Sequence, residues 1–201
     1  MHLENLERDC MKILCHICVS LDDNNIYKLN KMKNTGEDSP KYIKKLYYME
    51  HYEDIRKGTE LAKSTIVVKC GIMKKKGIIN IVEDNEYINI TPNKKVIPFL
   101  ESLKYKNKTK SDEEYLEIYR KLDEDTWFYQ EILKIMMKNM NKYNLSWDTY
   151  AGLMESAGMT CKEVSGTISK LTEEGFIDKI KRNTKIIYIV KDWTVNIING
   201  V

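Results

Sequence analysis

The stretch "YAGLMESAGMTCKEVSGTISKLTEEGFIDKIKRNTKIIY", residues 150–188, changes its periodicity along its length, and that change decides the fold. Thr160-x-x-Glu163 has the form of a capping box, in which a hydroxyl and a carboxylate satisfy each other's backbone N–H groups at a helix start. Val164, Ile168 and Leu171 follow at i, i+4 and i+7, the buried face of a helix. Gly175 ends it, because glycine accepts the left-handed conformation that closes a helix. Beyond it, "FIDKI" and "TKIIYIV" are short and β-branched with "KRN" between them, which predicts a hairpin with an Asn turn. Upstream, Ser146 is expected to cap a short helix running through Ala157.

The same plan stands earlier in the chain. "YEDIRKGTELAKSTIVVKCGIMKKKGIINIVEDNEYINI", residues 52–90, aligns with 150–188 without a gap at an offset of 98. Ile55 falls on Leu153, Leu61 on Met159, Ile66 on Val164, Cys70 on Ile168 and Met73 on Leu171, with Gly77 on Gly175. Five of the 39 pairs are identical, so hydrophobic pattern carries the repeat. A third helix to close each small core is expected upstream, in "PKYIKKLYYM" (40–49) and "WFYQEILKIMMKNM" (127–140).

The strings "STIVVKCGIMKKKGII" and "KEVSGTISKLTEEGFI" resemble the recognition helix and first wing strand of winged helix-turn-helix proteins, among them prokaryotic regulators of the MarR, ArsR and TrmB type. The resemblance covers residues 40–104 and 126–192. It implies a mainly α fold with small β-hairpin wings, of the α+β class. It also implies two tandem winged helix-turn-helix domains plus an N-terminal helix. The division is then an N-terminal helix and polar loop (1–39), a first winged-helix domain (40–104), a charged linker with a short helix (105–125) and a second winged-helix domain (126–201). In the family, the second helix of the motif enters the major groove and the wing meets the backbone. The implied function is a DNA-binding transcriptional regulator with double-stranded DNA as partner. The alternatives are a replication or partition factor using the same contacts, and a scaffold binding other proteins, as tandem winged helices also do.

The second copy suits duplex contact. Thr160, Lys162, Ser165, Gly166, Thr167 and Ser169 lie off the apolar stripe and are small or polar. Its wing, "DKIKRNTK", carries Lys179, Lys181, Arg182 and Lys185 against one acid, and cations there would neutralise phosphates. The first copy departs from this. Lys63, Ser64, Thr65 and Lys69 could reach DNA, but Val67, Val68 and Ile72 form an apolar face more typical of a protein interface, and the wing "EDNE" has three acids. Its helix starts after Ala62, a poor cap.

Composition bounds the rest. The 201 residues carry a net charge of +3, which permits nucleic-acid binding without demanding it. No run approaches the ~18 apolar residues of a membrane span, and the acidic "MHLENLERD" is unlike a secretion signal, so a cytoplasmic protein without membrane association is expected. No phosphate-binding loop, dinucleotide motif or H-E-x-x-H is present, and His2, His16 and His51 are scattered, two of them near helix starts or ends with no evident carboxylate partner; no enzymatic activity and no cofactor are expected.

"DCMKILCHIC" (9–18) gathers Cys10, Cys15, His16 and Cys18. A helix over 3–22 places Leu6, Cys10, Leu14, Ile17 and Cys18 on one stripe and leaves Cys15 and His16 off it, which reads as packing, with no metal assigned. Residues 23–39 read as a polar loop, 105–112 as a basic connector that is a solvated hinge or, alternatively, a contact to the DNA backbone, and 113–123 as a charged helix. That helix and the N-terminal one are the candidate contacts of a homodimer.

Overall fold

A computed structural model describes residues 3–30, 52–84, 87–182 and 185–200. Two compact units divide the chain, residues 1–99 and 100–201. Both are α+β, each with one three-stranded antiparallel sheet.

The first unit opens with a 3-10 turn (Leu3–Asn5) and helix α1 (Arg8–Val19), followed by β1 (Tyr27–Asn30), α2 (Glu53–Thr59), α3 (Lys63–Lys75), β2 (Ile79–Glu83) and β3 (Tyr87–Pro92). Its sheet has the order β1-β3-β2. Helix α1 packs against α2, α3 and β3. It is therefore a core helix of this unit, where the sequence suggested an appended helix free for dimer contacts. Its buried arc is also wider than one stripe. Cys15 is 2% exposed, as enclosed as Cys10 and Cys18, because the helix is covered by two helices and a strand. The segment 40–49, expected to supply this helix, lies outside the described residues. Of the expected loop 23–39, residues 27–30 form β1. The Asp22 carboxylate accepts from the N–H groups of Asn24 and Ile26, an Asx turn that feeds the strand. Tyr27 and Leu29 then alternate inward.

Helix α4 (Val96–Leu103) contains the boundary between the units. The second unit continues with α5 (Asp112–Asp125), α6 (Phe128–Asn139), β4 (Leu145–Ser146), α7 (Tyr150–Ala157), α8 (Cys161–Glu173), β5 (Ile177–Arg182), β6 (Lys185–Val190) and α9 (Asp192–Asn199). The sheet order β4-β6-β5 repeats that of the first unit. Helices α3 and α8 have the same length and sit 98 residues apart, as do the paired registers Ile79↔Pro92 and Ile177↔Val190.

Ser146 does not cap α7. It pairs with Tyr188 in the sheet and its buried hydroxyl donates to Asp148, while Thr149 accepts the capping bond from the Gly152 N–H. The expected charged helix forms as α5, started by a capping box of Ser111 and Glu114. It too is part of a core: Tyr115 and Leu122 are buried, and Tyr115 stacks on Trp193 with ring centroids 5.2 Å apart. The basic segment before it is held as well. Lys108 pairs with Asp112 at 2.8 Å, and Lys110 donates to the Glu174 carbonyl at 3.2 Å.

A buried lysine fastens this region. Lys191, 1% exposed, donates to the carbonyls of Leu103 and Lys106 at 3.1 and 2.8 Å and pairs with Asp178 at 2.5 Å. These contacts supply the partners that a buried ammonium requires.

Candidate nucleic-acid interface

Helix α8 begins as its sequence predicts. The Thr160 hydroxyl accepts from the Glu163 N–H at 3.3 Å, and the Glu163 carboxylate accepts from the Thr160 N–H at 2.7 Å. The Glu163 carboxylate also accepts from the Thr160 hydroxyl at 2.7 Å, and that bond, with the one from the Thr160 N–H, holds the carboxyl below the usual carboxylate range. A cap of this kind stabilises by about 1 kcal/mol. Val164, Ile168 and Leu171 are fully enclosed, and Gly175 follows the helix at φ +85°.

On the opposite face Lys162, Gly166 and Ser169 are exposed and Ser165 is half-buried. Thr160 is exposed but its hydroxyl is engaged in the cap. Thr167 departs from expectation: it is 4% exposed. Its position is three residues after Val164 and four before Leu171, which places it on the arc that faces the core. Gly166 has open space where a Cβ would stand, so packing does not require a glycine there.

The wing is read from its register. Residues directly opposite on antiparallel strands share a face. Lys179 faces Tyr188, Lys181 faces Ile186 and Ile177 faces Val190. Ile177, Tyr188 and Val190 belong to the core built with the helices, and Ile186 packs against it. Lys179 and Lys181 therefore extend the helix-facing side of the hairpin past the core, and both are exposed. Asp178 lies on the other face, committed to Lys191 and to Asn107 at 3.3 Å. The one acid of the wing is thus turned away from Lys179 and Lys181. Lys185 is exposed and pairs in register with Arg182, whose side chain lies outside the described residues, as does Asn183. Lys162 and Lys179 form no ion pair among the described residues. Lys170, farther along α8, is paired with Glu174 at 2.8 Å.

The equivalent face of the first unit has different chemistry. Helix α3 starts at Ala62 without a side-chain cap. Lys63 pairs with Glu53 at 2.8 Å, and Lys69 pairs with Glu7. Hydrogen bonds from Arg56 and Lys63 hold the Glu53 carboxyl down to about 2. Ser64 is exposed and Thr65 half-buried, Val67 and Ile72 are half-buried, and Val68 is 58% exposed. Ile81 and Glu83 occupy the register places of Lys179 and Lys181. Asp84 folds back to accept from the Tyr87 N–H at 2.7 Å and the Asn89 amide at 2.8 Å. Residues 85 and 86 of "EDNE" lie outside the described residues.

His16 has a carboxylate partner that is remote in sequence. Its Nε2 lies 3.4 Å from Asp54 Oδ2 and 3.3 Å from the Tyr27 hydroxyl, which itself donates to Asp54. That last bond, with His16, holds the Asp54 carboxyl low, while burial pushes the Tyr27 phenol up. The cluster bolts α1, β1 and α2 together. It leaves room for nothing larger than glycine at position 58, where a Cβ would meet the imidazole at 2.1 Å. All five cysteines are free thiols, and burial pushes Cys70 up to about 12. Among the described residues no three His, Cys, Asp or Glu side chains are grouped to hold a metal, and no helix is long and apolar enough to cross a membrane.

No protein-family model matches the chain, and neither a curated protein nor a solved structure matches it.

Proposed function

We propose that this chain is a double-stranded-DNA-binding protein, a transcriptional regulator in type, whose second unit carries the contact surface. The observation that carries the reading is the placement of Lys179 and Lys181 on the helix-facing side of the wing, beside a helix that exposes Lys162, Gly166 and Ser169 and leaves Ser165 half-buried. Cations on a hairpin next to a helix with small polar side chains match what a duplex offers, phosphates flanking a groove. In this reading both units are winged helices. The order helix, strand, two helices, two strands and the shared sheet order support that. The protein acts in the cytoplasm, as a homodimer or with a partner protein, and needs no cofactor or catalytic group.

A second reading is favoured by the first unit. Exposed Val68, with Ile81 and Glu83 on its wing, suits a protein surface better than phosphate. The two readings are compatible if the units divide the work.

Fluorescence anisotropy with a labelled random duplex across a salt series tests the proposal. Binding at about 50 mM salt is expected, with an affinity that falls steeply as salt rises. The double variant Lys179→Ala/Lys181→Ala should flatten the log–log salt slope by about 2. Absence of binding at low salt would refute the DNA reading, and an unchanged slope would remove the wing from it.

A further inference from the structure

We infer that the second unit holds duplex DNA with little discrimination among base sequences, and that Lys162 supplies most of what discrimination it has. The inference rests on the DNA-binding reading above and concerns the chemistry of α8. Strong base readout comes from side chains that make two hydrogen bonds to one base edge: arginine or lysine on guanine, asparagine or glutamine on adenine. Helix α8, "CKEVSGTISKLTE", contains no arginine, asparagine or glutamine. Of its two lysines, Lys170 is tied to Glu174 in the last turn, which leaves Lys162 at the N-terminal end where a recognition helix meets base edges. Glu163, the acid that could accept from a cytosine amine, is locked in the capping box. Ser165 and Ser169 carry hydroxyls that donate or accept with any base and so favour none. Against this one discriminating group stand the exposed cations Lys179, Lys181 and Lys185 on the hairpin, whose partners are phosphates present in every sequence. The balance is that of a surface set for the backbone.

The experiment is selection of the full-length protein on a pool of 30-base-pair duplexes with randomised centres, followed by competition between the most enriched duplex and the unselected pool. The expected result is binding in which the enriched duplex is favoured by less than about 150-fold, with guanine enrichment confined to one or two positions, because one good base contact contributes a factor of about 5 to 150. Lys162→Ala should erase that guanine preference, so that the enriched duplex and the unselected pool compete equally for the variant. A preference above about 150-fold, more than one base contact supplies, would overturn the inference and leave the DNA reading intact. Guanine preference that survives in Lys162→Ala would overturn the role of Lys162. Failure to bind the pool at about 50 mM salt would overturn both the inference and the reading beneath it.

Discussion

Helices α3 and α8 are the same length, start 98 residues apart and bury three equivalent apolar positions, yet one is preceded by Ala62 and the other by Thr160. One exposes Val68 where the other has Gly166, and the wing beside one carries Ile81 and Glu83 where the other carries Lys179 and Lys181. Residues that face the core are held to one frame because packing tolerates few volumes and no unpartnered charge. Solvent-facing residues are under no such constraint and are free to differ between the units.

The largest difference that can be broken is at the end of each wing. Lys191 and Asn93 are equivalent: their N–H groups bond the carbonyls of Phe176 and Ile78. Lys191 alone is buried and supports two further carbonyls and Asp178. Lys191→Met should cost about 2–3 kcal/mol, less than a fully enclosed pair because Asp178 keeps 30% exposure. Asn93→Ala should cost under about 1 kcal/mol. All three tryptophans (127, 147 and 193) lie in the second unit, so denaturant unfolding followed by tryptophan fluorescence reports Lys191→Met directly. Amide exchange in β3 reports Asn93→Ala.

The caps come next. Thr160→Ala should destabilise the second unit by about 1 kcal/mol, whereas Ala62→Ser, at a position already in extended backbone, should stabilise the first by about 0.5–1 kcal/mol. Equal responses in the two units would break the comparison.

Smaller and sharper is a pair of glycines. Gly71 and Gly166 both stand in mid-helix with open space around the missing Cβ. Alanine at either should stabilise by about 0.5–1 kcal/mol through helix propensity. If the second unit alone approaches DNA, only Gly166→Ala should also weaken duplex binding, measured by anisotropy beside a thermal melt. Equal loss from both variants would place the first unit on the duplex too.

The smallest effect is acidic. Glu53 is held down to about 2, so its folded form is depressed relative to the unfolded chain, where the ordinary value is 4.5. Its contribution is therefore complete above about pH 4.5 and is lost as pH falls toward 2. Glu53→Gln should flatten that limb of the pH–stability profile for β3 amides and leave the tryptophan signal of the second unit unchanged.

Sequence made the repeated core legible because helices α2, α3, α7 and α8 and both hairpins keep one spacing. It predicted α1 as a helix but hid its place in the repeated core, because spacing fails there. The stretch between β1 and α2 is 22 residues (31–52), while that between β4 and α7 is 3 (147–149), so an alignment without gaps cannot bring α1 opposite α6. β1 escaped notice because four residues with two inward side chains carry too little pattern. His16 and Asp54 meet across 38 positions, a contact no local spacing announces. Thr167 misled for a different reason: its hydroxyl suggested solvent, but its place on the helix turns it to the core. On the candidate surface, residue types were readable in advance. The face on which Lys179 and Lys181 lie, opposite Asp178, needed the strand register.

The distribution of thiols has a practical outcome. The four enclosed cysteines, Cys10, Cys15, Cys18 and Cys70, all belong to the first unit, and the exposed one, Cys161, opens α8 beside Lys162. A maleimide dye added to the native protein should couple first at Cys161, placing a reporter on the candidate surface without mutagenesis. Any slower uptake of label by the other four then clocks the opening of the first unit, separately from the second.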